Sequence, residues 1–277
     1  MRKIHFFLFL IILGGGAYFF YENFPSENIF SDNQERIEVR QESLLSEALS
    51  EEVSQVIPEE IPARETKESL PKDVLLEDVP FTSQAPFGEW SNPMFQDGCE
   101  EASLTMVRFW LTREALTGDV AKKEIVSLAK FTEKKFGHAI DTSVADTERI
   151  FNEYYGYNAT KLHYDIELGD IRRALGEGKL VIVPAHGQKL KNPNFTRPGP
   201  ITHMLVVIGY DTKKKQFITN DPGTKNGKGY RYDEDVFYGA LQDYPTGDHV
   251  PSKKIRKAMM TIAPNEEKDA ILEKVKK

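Results

Sequence analysis

The pattern of apolar and polar positions divides the chain into three parts. An apolar run comes first, a polar stretch follows, and regular periodicity begins near residue 76. From there, apolar residues recur first at helical spacing and later in continuous or alternating runs. This order of elements predicts an α+β fold with an antiparallel sheet. The periodicity predicts helices over 99–116, 120–136, 145–155 and 166–175, and strands over 76–81, 158–164, 180–183, 201–210, 217–220, 229–232 and 258–262.

Residues 1–21 have the pattern of a membrane segment. Arg2 and Lys3 precede an apolar run over 4–21 that is just long enough to cross a bilayer, and acidic residues follow it. Basic residues on the leading side predict a single-pass anchor in the cell membrane, with the rest of the chain outside the cytoplasm. The alternative is a signal peptide cleaved near the small residues at 14–17, which would give a secreted protein. Both interpretations predict export.

The acidic stretch over residues 22–75 predicts a flexible linker. Residues 22–78 contain 16 Asp and Glu against 5 Lys and Arg, and such a segment lacks the apolar surface needed to fold by itself. The remainder from residue 79 carries a charge of about +2, and no basic stripe indicates nucleic-acid binding. We expect a folded domain over 76–263 and a charged tail over 264–277.

The only cysteine, Cys99, lies at the predicted start of the first helix of this domain. Asp97 is suited to N-cap the helix, and Glu100 follows it at the spacing of a capping box. A thiol in the first turn lies in the positive end of the helix dipole, which favours the thiolate and a nucleophilic role. The alternative is a small buried hydrophobic residue. A single cysteine excludes an internal disulfide and a multi-cysteine zinc motif.

A nucleophilic cysteine needs a histidine as base and a third group that orients the histidine. His203 begins a long apolar strand and would be held rigidly, whereas His186 follows a shorter strand and is the alternative. A hairpin loop of three or five residues after residue 210 would put Asp221 on the same face as His203. A loop of even length or a bulge would instead favour Asn220. The spacing therefore favours Asp221.

The same histidine and aspartate allow two interpretations without acyl chemistry. They could form a partly buried ion pair, or they could join Cys99 in a Cys/His/Asp zinc site. No pair of histidines at short ligand spacing supports zinc. The sequence therefore predicts neither a metal ion nor another cofactor.

Five segments together resemble a known enzyme family. They are DVPFTSQAPFGEW, QDGCEEASLTMV, LVIVPAHG, NPNFTRPGPITHMLVVIGYD and ITNDPGT. These segments resemble the peptidase-like branch of the bacteriocin-processing (double-glycine-leader) cysteine peptidases, and the resemblance covers about residues 76–262. It implies a papain-like fold, in which a helical part that carries the cysteine packs on an antiparallel sheet that carries the histidine and the aspartate.

The resemblance also implies roles for individual residues. Cys99 would be the nucleophile, His203 the general base, and Asp221 the group that orients the imidazole. The family's oxyanion glutamine lies upstream of the cysteine, where Gln84 fits best and Gln96 is the alternative. The implied activity is that of a bacterial thiol protease, a hydrolase that cleaves a peptide or amide bond in a peptide or protein substrate.

Two features limit what the resemblance implies. The best-known members are fused to transporter domains and an ATPase, whereas this chain has one candidate membrane segment and no glycine-rich phosphate loop. The specificity for a double-glycine leader is therefore not carried over.

The alternatives to a peptidase are an inactive peptidase-like module that binds peptide or cell-wall material, and an amidase or acyltransferase with the same triad. Glu100 and Glu101 oppose a thiolate, and we expect the ion pair of Cys99 with His203 to outweigh them.

Overall fold

The computed structural model describes residues 73–137, 141–247, 249, 252 and 254–264, which fall in one compact unit, Ser69–Lys277. The predicted anchor over 1–21, the linker as far as residue 72 and the tail from residue 265 lie outside the described residues. Within the described ranges, no helix is both long and apolar enough to cross a membrane.

The described part of the chain contains six α-helices and seven strands. The helices come mainly from the first half and the longer strands from the second half, as the sequence pattern predicts. The helices are α1 Pro93–Gln96, α2 Cys99–Thr112, α3 Gly118–Phe136, α4 Val144–Tyr155, α5 Leu168–Gly176 and α6 Glu234–Ala240, and the strands are β1 Asp73–Leu75, β2 Thr160–Tyr164, β3 Leu180–Ala185, β4 His203–Asp211, β5 Gln216–Asn220, β6 Tyr230–Asp233 and β7 Ala258–Ile262.

All strand pairs of the single sheet are antiparallel, in the order β2-β7-β3-β4-β5-β6. Strand β1 pairs with residues 209–211 of β4, beyond the segment over 203–207 that pairs with β3. The α+β class with an antiparallel sheet is thus confirmed. Strand β4 lies at the centre, and its first residue is His203.

Two apolar cores cover the two faces of the sheet. Alternate residues of β4, such as Met204 and Val206, pack with α2 and α4 on one face. The residues between them, Leu205 and Val207, pack with α5 and α6 on the other face. A sheet covered on both faces needs apolar residues at every strand position, which explains the uninterrupted apolar runs of β3 and β4.

Helix ends follow the capping residues in the sequence. Thr117 and Ser143 cap α3 and α4 through their side-chain oxygens. Gly137 and Gly156 end the same helices in the left-handed conformation, which glycine adopts without a steric cost. These local signals are why the boundaries predicted for α3 and α4 agree with the structure to within two residues.

Several predicted elements differ from the structure. The first strand is Asp73–Leu75 rather than a segment of 76–81, so the sheet includes residues assigned to the linker. Helix α2 ends at Thr112, four residues before the predicted end, because Arg113 adopts the left-handed conformation. Helices α1 and α6 have only 4 and 7 residues, which is too short for a helical period to stand out in the sequence.

Candidate functional site

Cys99 is the first residue of α2 and is buried, with 4% of its surface exposed. The predicted capping box is wrong. Gly98 occupies the N-cap position without a side-chain hydrogen bond, and Asp97 ends the preceding helix α1. The sulfur lies against the start of β4, since the backbone N–H of Met204 donates to it. The helix therefore brings the thiol beside the strand that begins with His203.

His203 and Asp221 form a buried pair. His203 Nε2 lies 2.8 Å from Asp221 Oδ1, and the two residues are 1% and 0% exposed. A carboxylate accepts from the imidazole N–H, so Nε2 carries a proton and Nδ1 is the ring nitrogen left to exchange a proton with another group. No hydrogen bond joins the Cys99 sulfur to His203 among the residues described, and both side chains face one cleft.

Three further donors hold the Asp221 carboxylate. Oδ1 also accepts from the backbone N–H of Gly223 at 2.9 Å, and Oδ2 accepts from the Tyr232 hydroxyl at 2.5 Å and from Asn192 Nδ2 at 3.3 Å. Burial alone would raise the pKa of Asp221, but the charge of His203 and the donated hydrogen bonds outweigh it and lower that pKa. The carboxylate is therefore ionised and fixed in position.

The hairpin that carries this pair reaches the predicted pairing by a different route. Asp211 pairs with Gln216, so the loop has four residues, an even length that by itself would favour Asn220. A β-bulge at Ile208 shifts the register once more and returns Asp221 to the face of His203. Asn220 faces the other way, and its Nδ2 donates to the carbonyls of Val79 and Pro80.

The imidazole is also confined by its neighbours. The Phe195 ring lies edge-on to His203, with 5.3 Å between the ring centroids. Gly223 approaches so closely that a Cβ there would lie 2.9 Å from His203 Cε1 and 2.9 Å from Phe195 Cε1. A glycine is therefore required at this position if the ring is to keep its orientation.

Gln84 lines the same cleft, and its amide is already engaged. Its Nε2 donates to the backbone carbonyls of Phe95 at 3.0 Å and Gln96 at 2.6 Å, whereas its Oε1 is buried without a partner. Gln96, the alternative, is exposed and also lines the cleft. Both glutamines thus line the cleft that contains Cys99. The Nε2 of Gln84 already donates to two carbonyl oxygens, so it is not free to donate to an oxyanion.

Three buried carboxylates surround the start of α2. Glu100 Oε2 accepts from the Cys99 thiol at 2.9 Å, so the closest partner of the sulfur is Glu100 rather than His203. Burial raises the pKa of Glu100 to about 7, with a further contribution from Asp141, and burial and Glu100 raise the pKa of Glu101 to about 8. Burial, Glu100 and Asp141 together raise the pKa of Cys99 well above its ordinary value.

The cleft has a volume of about 880 Å³, and its lining includes both apolar and charged side chains. Phe195 and Ile201, from the segment that leads into β4, line one part. Asp97 and Asp141 line another part, and His249 lies between them at 3.5 Å and 2.8 Å. Within the described ranges, no group of three His, Cys, Asp or Glu side chains is arranged to hold a metal ion.

Sequence reasoning missed the residues that arrive from distant segments. Asn192 and Tyr232 hold Asp221, and Asp141 and Tyr244 surround Glu100. None of these has a local motif. His186, the alternative base, is half-buried at the end of β3, and it does not line the cleft.

The sequence matches the Peptidase_C39 like family over residues 76–245. Among solved structures, a protein from Bacillus anthracis described as a C39-like peptidase is 15% identical with a TM-score of 0.45, over 70% of this chain and 98% of that chain. Xylellain, a cysteine protease from Xylella fastidiosa, is 13% identical with a TM-score of 0.35, over 71% of this chain and 87% of its own. No curated protein matches the chain.

The family match concerns the family as a whole, so the bacteriocin-processing branch stays a prediction. Because that match spans more than half of the chain and includes Cys99, His203 and Asp221, the chain belongs to the Peptidase_C39 like family.

Proposed function

We propose that this protein is a cysteine peptidase that hydrolyses a peptide or amide bond with Cys99, His203 and Asp221. The observation that carries the proposal is the buried His203–Asp221 pair, 2.8 Å apart, on the cleft that also contains Cys99. An ion pair with a purely structural role would not need to border a cleft beside the only cysteine of the chain. Its position there favours the catalytic interpretation.

The geometry suggests how the proton moves. Asp221 holds Nε2–H of His203, so Nδ1 takes the proton from the Cys99 thiol, and the sulfur attacks the substrate carbonyl. The imidazolium then gives this proton to the leaving amine as the C–N bond breaks, which leaves a thioester on Cys99. A water molecule, deprotonated by His203, hydrolyses the thioester and releases the acid. Asp221 stabilises the imidazolium in both steps.

The tetrahedral intermediates need donors for their oxyanion. The backbone N–H of Cys99, at the start of α2, and the Nε2 of Gln84 are the proposed donors, and each donor of this kind contributes about 3–4 kcal/mol. Gln84 would have to release the carbonyl of Phe95 or Gln96 to reach an oxyanion. Gln96 remains the alternative, since it is exposed and needs no such release.

The proposed setting is the outer face of a bacterial cell membrane. The support is the apolar run over 4–21 with Arg2 and Lys3 before it, and the acidic stretch that follows. The anchor and linker would hold the peptidase domain close to extracytoplasmic peptide or protein substrates. Detection of residues 1–21 on the mature protein by mass spectrometry would distinguish an anchor from a cleaved signal peptide.

Turnover on a peptide library tests the activity directly. The full chain should cleave a subset of peptides, and Cys99→Ala and His203→Ala should abolish the cleavage. His163→Ala is the matched control, because His163 lies on β2 and does not line the cleft. Equal signals from the wild-type protein and Cys99→Ala would show a binding module instead of an enzyme.

A further inference from the structure

The side chain next to the nucleophile makes a contact that the triad mechanism does not use. Glu100 Oε2 lies 2.9 Å from Cys99 Sγ and accepts the thiol proton in a hydrogen bond. The sulfur has a second neighbour, the backbone N–H of Met204, which donates to it. The thiol therefore lies between a carboxylate that favours S–H and a backbone donor that favours the thiolate.

Glu100 is held in this contact by groups from two other segments. Its Oε1 accepts from the backbone N–H of Thr142 at 3.0 Å and from the Tyr244 hydroxyl at 2.9 Å, and the residue is 2% exposed. The carboxyl group can therefore neither rotate away from the sulfur nor reach solvent without losing these bonds.

Most of the titratable groups around Glu100 are acidic. The two histidines of this group are each paired with another carboxylate: His249 Nδ1 contacts Asp141 Oδ2 at 2.8 Å, and His203 Nε2 contacts Asp221 Oδ1 at 2.8 Å. The titratable groups that face Glu100 and its immediate partners are Cys99 and Glu101 on α2, Asp97 before it, Asp141 before α4, Tyr244 after α6, His203 at the start of β4, and His249.

We propose that Glu100 is a catalytic residue that controls the proton of the nucleophile: its neutral carboxyl form supports the Cys99 thiolate, and its ionised form keeps the thiol protonated. This inference rests on the proposed role of Cys99 and deepens it. It predicts a peptidase that is active at acidic to neutral pH and less active at higher pH.

The proton balance explains the switch. With Glu100 protonated, the thiol proton passes to His203 Nδ1, and the Glu100 O–H then donates to the new thiolate. With Glu100 ionised, its proton has gone to solvent, and the same transfer would leave a thiolate and a carboxylate 2.9 Å apart. Two anions at that distance in a buried site repel strongly, so the proton stays on the sulfur.

The environment of Glu100 places this change in a physiological range. Burial and the neighbouring Asp141 raise the pKa of Glu100 to about 7. An ordinary exposed glutamate would be ionised throughout the range in which an extracytoplasmic enzyme works, and it could not act as such a switch.

Alkylation of the full chain by iodoacetamide tests the inference, because Cys99 is the only cysteine. The rate should be measured from about pH 4 to pH 10. The wild-type rate should fall as pH rises through neutrality and then rise again when the thiol itself ionises. Glu100→Gln keeps a neutral donor beside the sulfur, so its rate between about pH 7 and pH 9 should exceed the wild-type rate by about tenfold, the effect of a one-unit shift in the thiol pKa.

Glu101→Gln is the matched control. It removes the same charge one residue along α2, from a side chain whose Oε1 contacts Thr132 at 3.3 Å rather than the sulfur. Its curve should keep the two phases of the wild type. A wild-type rate that rises in a single phase, or a Glu100→Gln curve that coincides with the wild-type curve, would overturn the inference. If Glu100→Gln does not fold, the shape of the wild-type curve still decides.

A failure of the proposed function gives a different result. If Cys99 is not a nucleophile activated by histidine, His203→Ala will leave the wild-type curve unchanged at every pH. If His203→Ala lowers the rate on the acidic side while Glu100→Gln matches the wild type, the triad stands and the role of Glu100 is refuted.

Discussion

Two buried carboxyl groups, Asp221 on the sheet side of the cleft and Glu100 on the helix side, have pKa values that are shifted in opposite directions. On the sheet side, Asp221 is completely buried, but His203, Gly223, Tyr232 and Asn192 all donate to it, and its pKa is lowered. On the helix side, Glu100 is equally buried, and carboxylates are its main charged neighbours, so its pKa is raised. Burial and several hydrogen-bond donors are common to both sides, and the sign of the neighbouring charge, His203 for Asp221 and Asp141 for Glu100, separates the outcomes.

A thiolate–imidazolium pair carries two charges, and each side of the cleft acts on one of them. The sheet side supplies a fixed anion that can stabilise an imidazolium at any pH above the acidic range. The helix side makes the second charge, that of the thiolate, conditional on the protonation of its surroundings. Four experiments test the comparison, three on the sheet side and one on the helix side. Their expected effects decrease in the order given.

Removal of the anion on the sheet side should have the largest effect. Asp221→Ala leaves the His203 ring and the Tyr232 hydroxyl buried without their acceptor, so we expect peptide cleavage to fall by about 10³-fold or more and the free energy of unfolding to fall by about 2–4 kcal/mol. Steady-state kinetics and urea unfolding measure the two effects.

Asp211→Ala is the control for this experiment. Asp211 ends β4, the strand that pairs with β5, and it pairs with Arg231 at the surface, where an ion pair contributes at most about 1 kcal/mol. Cleavage by Asp221→Ala at the wild-type rate would show that the sheet side has no part in the chemistry.

Displacement of the imidazole with the anion left in place should have the next largest effect. In Gly223→Ala, the new Cβ would meet His203 Cε1 and Phe195 Cε1 at 2.9 Å, and a shift of about 1 Å in a catalytic group costs about 10²-fold in rate. The measurement is kcat/KM together with the thermal midpoint of unfolding.

Gly239→Ala provides the matched substitution. Gly239 lies in α6, and a Cβ there meets no atom within 4 Å, so alanine should stabilise the helix by about 0.5–1 kcal/mol without a change in rate. If both alanine variants keep the wild-type rate, the close approach of Gly223 does not position the ring.

Loss of one hydrogen-bond donor to Asp221 should reduce both stability and activity by a smaller amount. Tyr232→Phe removes the hydroxyl that donates to Asp221 Oδ2 and leaves three donors. We expect a loss of about 1–2 kcal/mol in the free energy of unfolding and a fall in kcat of about tenfold, because one such bond is worth about that factor. Tyr230→Phe, on the same strand, should change neither quantity, and an equal effect from both variants would mean that the hydroxyl of Tyr232 does not act through Asp221.

The raised pKa values of Glu100 and Glu101 on the helix side should make the free energy of unfolding depend on pH, which is the smallest of the four effects. In the folded chain the pKa values of Glu100 and Glu101 are about 7 and about 8, against an ordinary value of 4.5. The folded state therefore binds more protons than the unfolded state between pH 4.5 and these values, and the free energy of unfolding falls as pH rises through that window.

Thermal unfolding at about pH 5.5 and pH 8.5 measures this effect. The midpoint should be lower at the higher pH, by about 2–4 °C for each kcal/mol lost, and Glu101→Gln should reduce the difference. Glu133→Gln, on the exposed surface of α3, should not. A midpoint that rises with pH in the wild type would mean that these carboxyl groups are ionised in the folded state.

How far the sequence predicts this molecule depends on whether the relevant signal is local. Helices α3 and α4 carry their own caps, Thr117 with Gly137 and Ser143 with Gly156, and the continuous apolar run of β4 reports a strand covered on both faces. These elements could be predicted. Helices α1 and α6 are defined by tertiary contacts of residues such as Phe95 and Phe237, and their short patterns predict nothing by themselves.

The candidate site divides in the same way. Cys99 could be identified because it is the only cysteine and begins a helix. The pairing of His203 with Asp221 was predicted from a hairpin loop of odd length, and it holds because the four-residue loop and the bulge at Ile208 offset each other. The contact of Glu100 with Tyr244 joins residues 144 positions apart, and no spacing rule relates them. A capping box was the local interpretation of Glu100, and the contacts from the distant segments determined its actual position.

The bulge at Ile208 has a consequence for how this hairpin can change in evolution. Insertion or deletion of one residue in the exposed turn over 212–215 would exchange the side chains of β5 between the two faces of the sheet, so that Asn220 instead of Asp221 would face His203. Surface turns ordinarily tolerate such changes well. Here only changes of two residues, or a change of one residue together with loss of the bulge, preserve the pairing. A solvent-exposed loop distant from the cleft is thus under a parity constraint set by the His203–Asp221 pair at the other end of the strands.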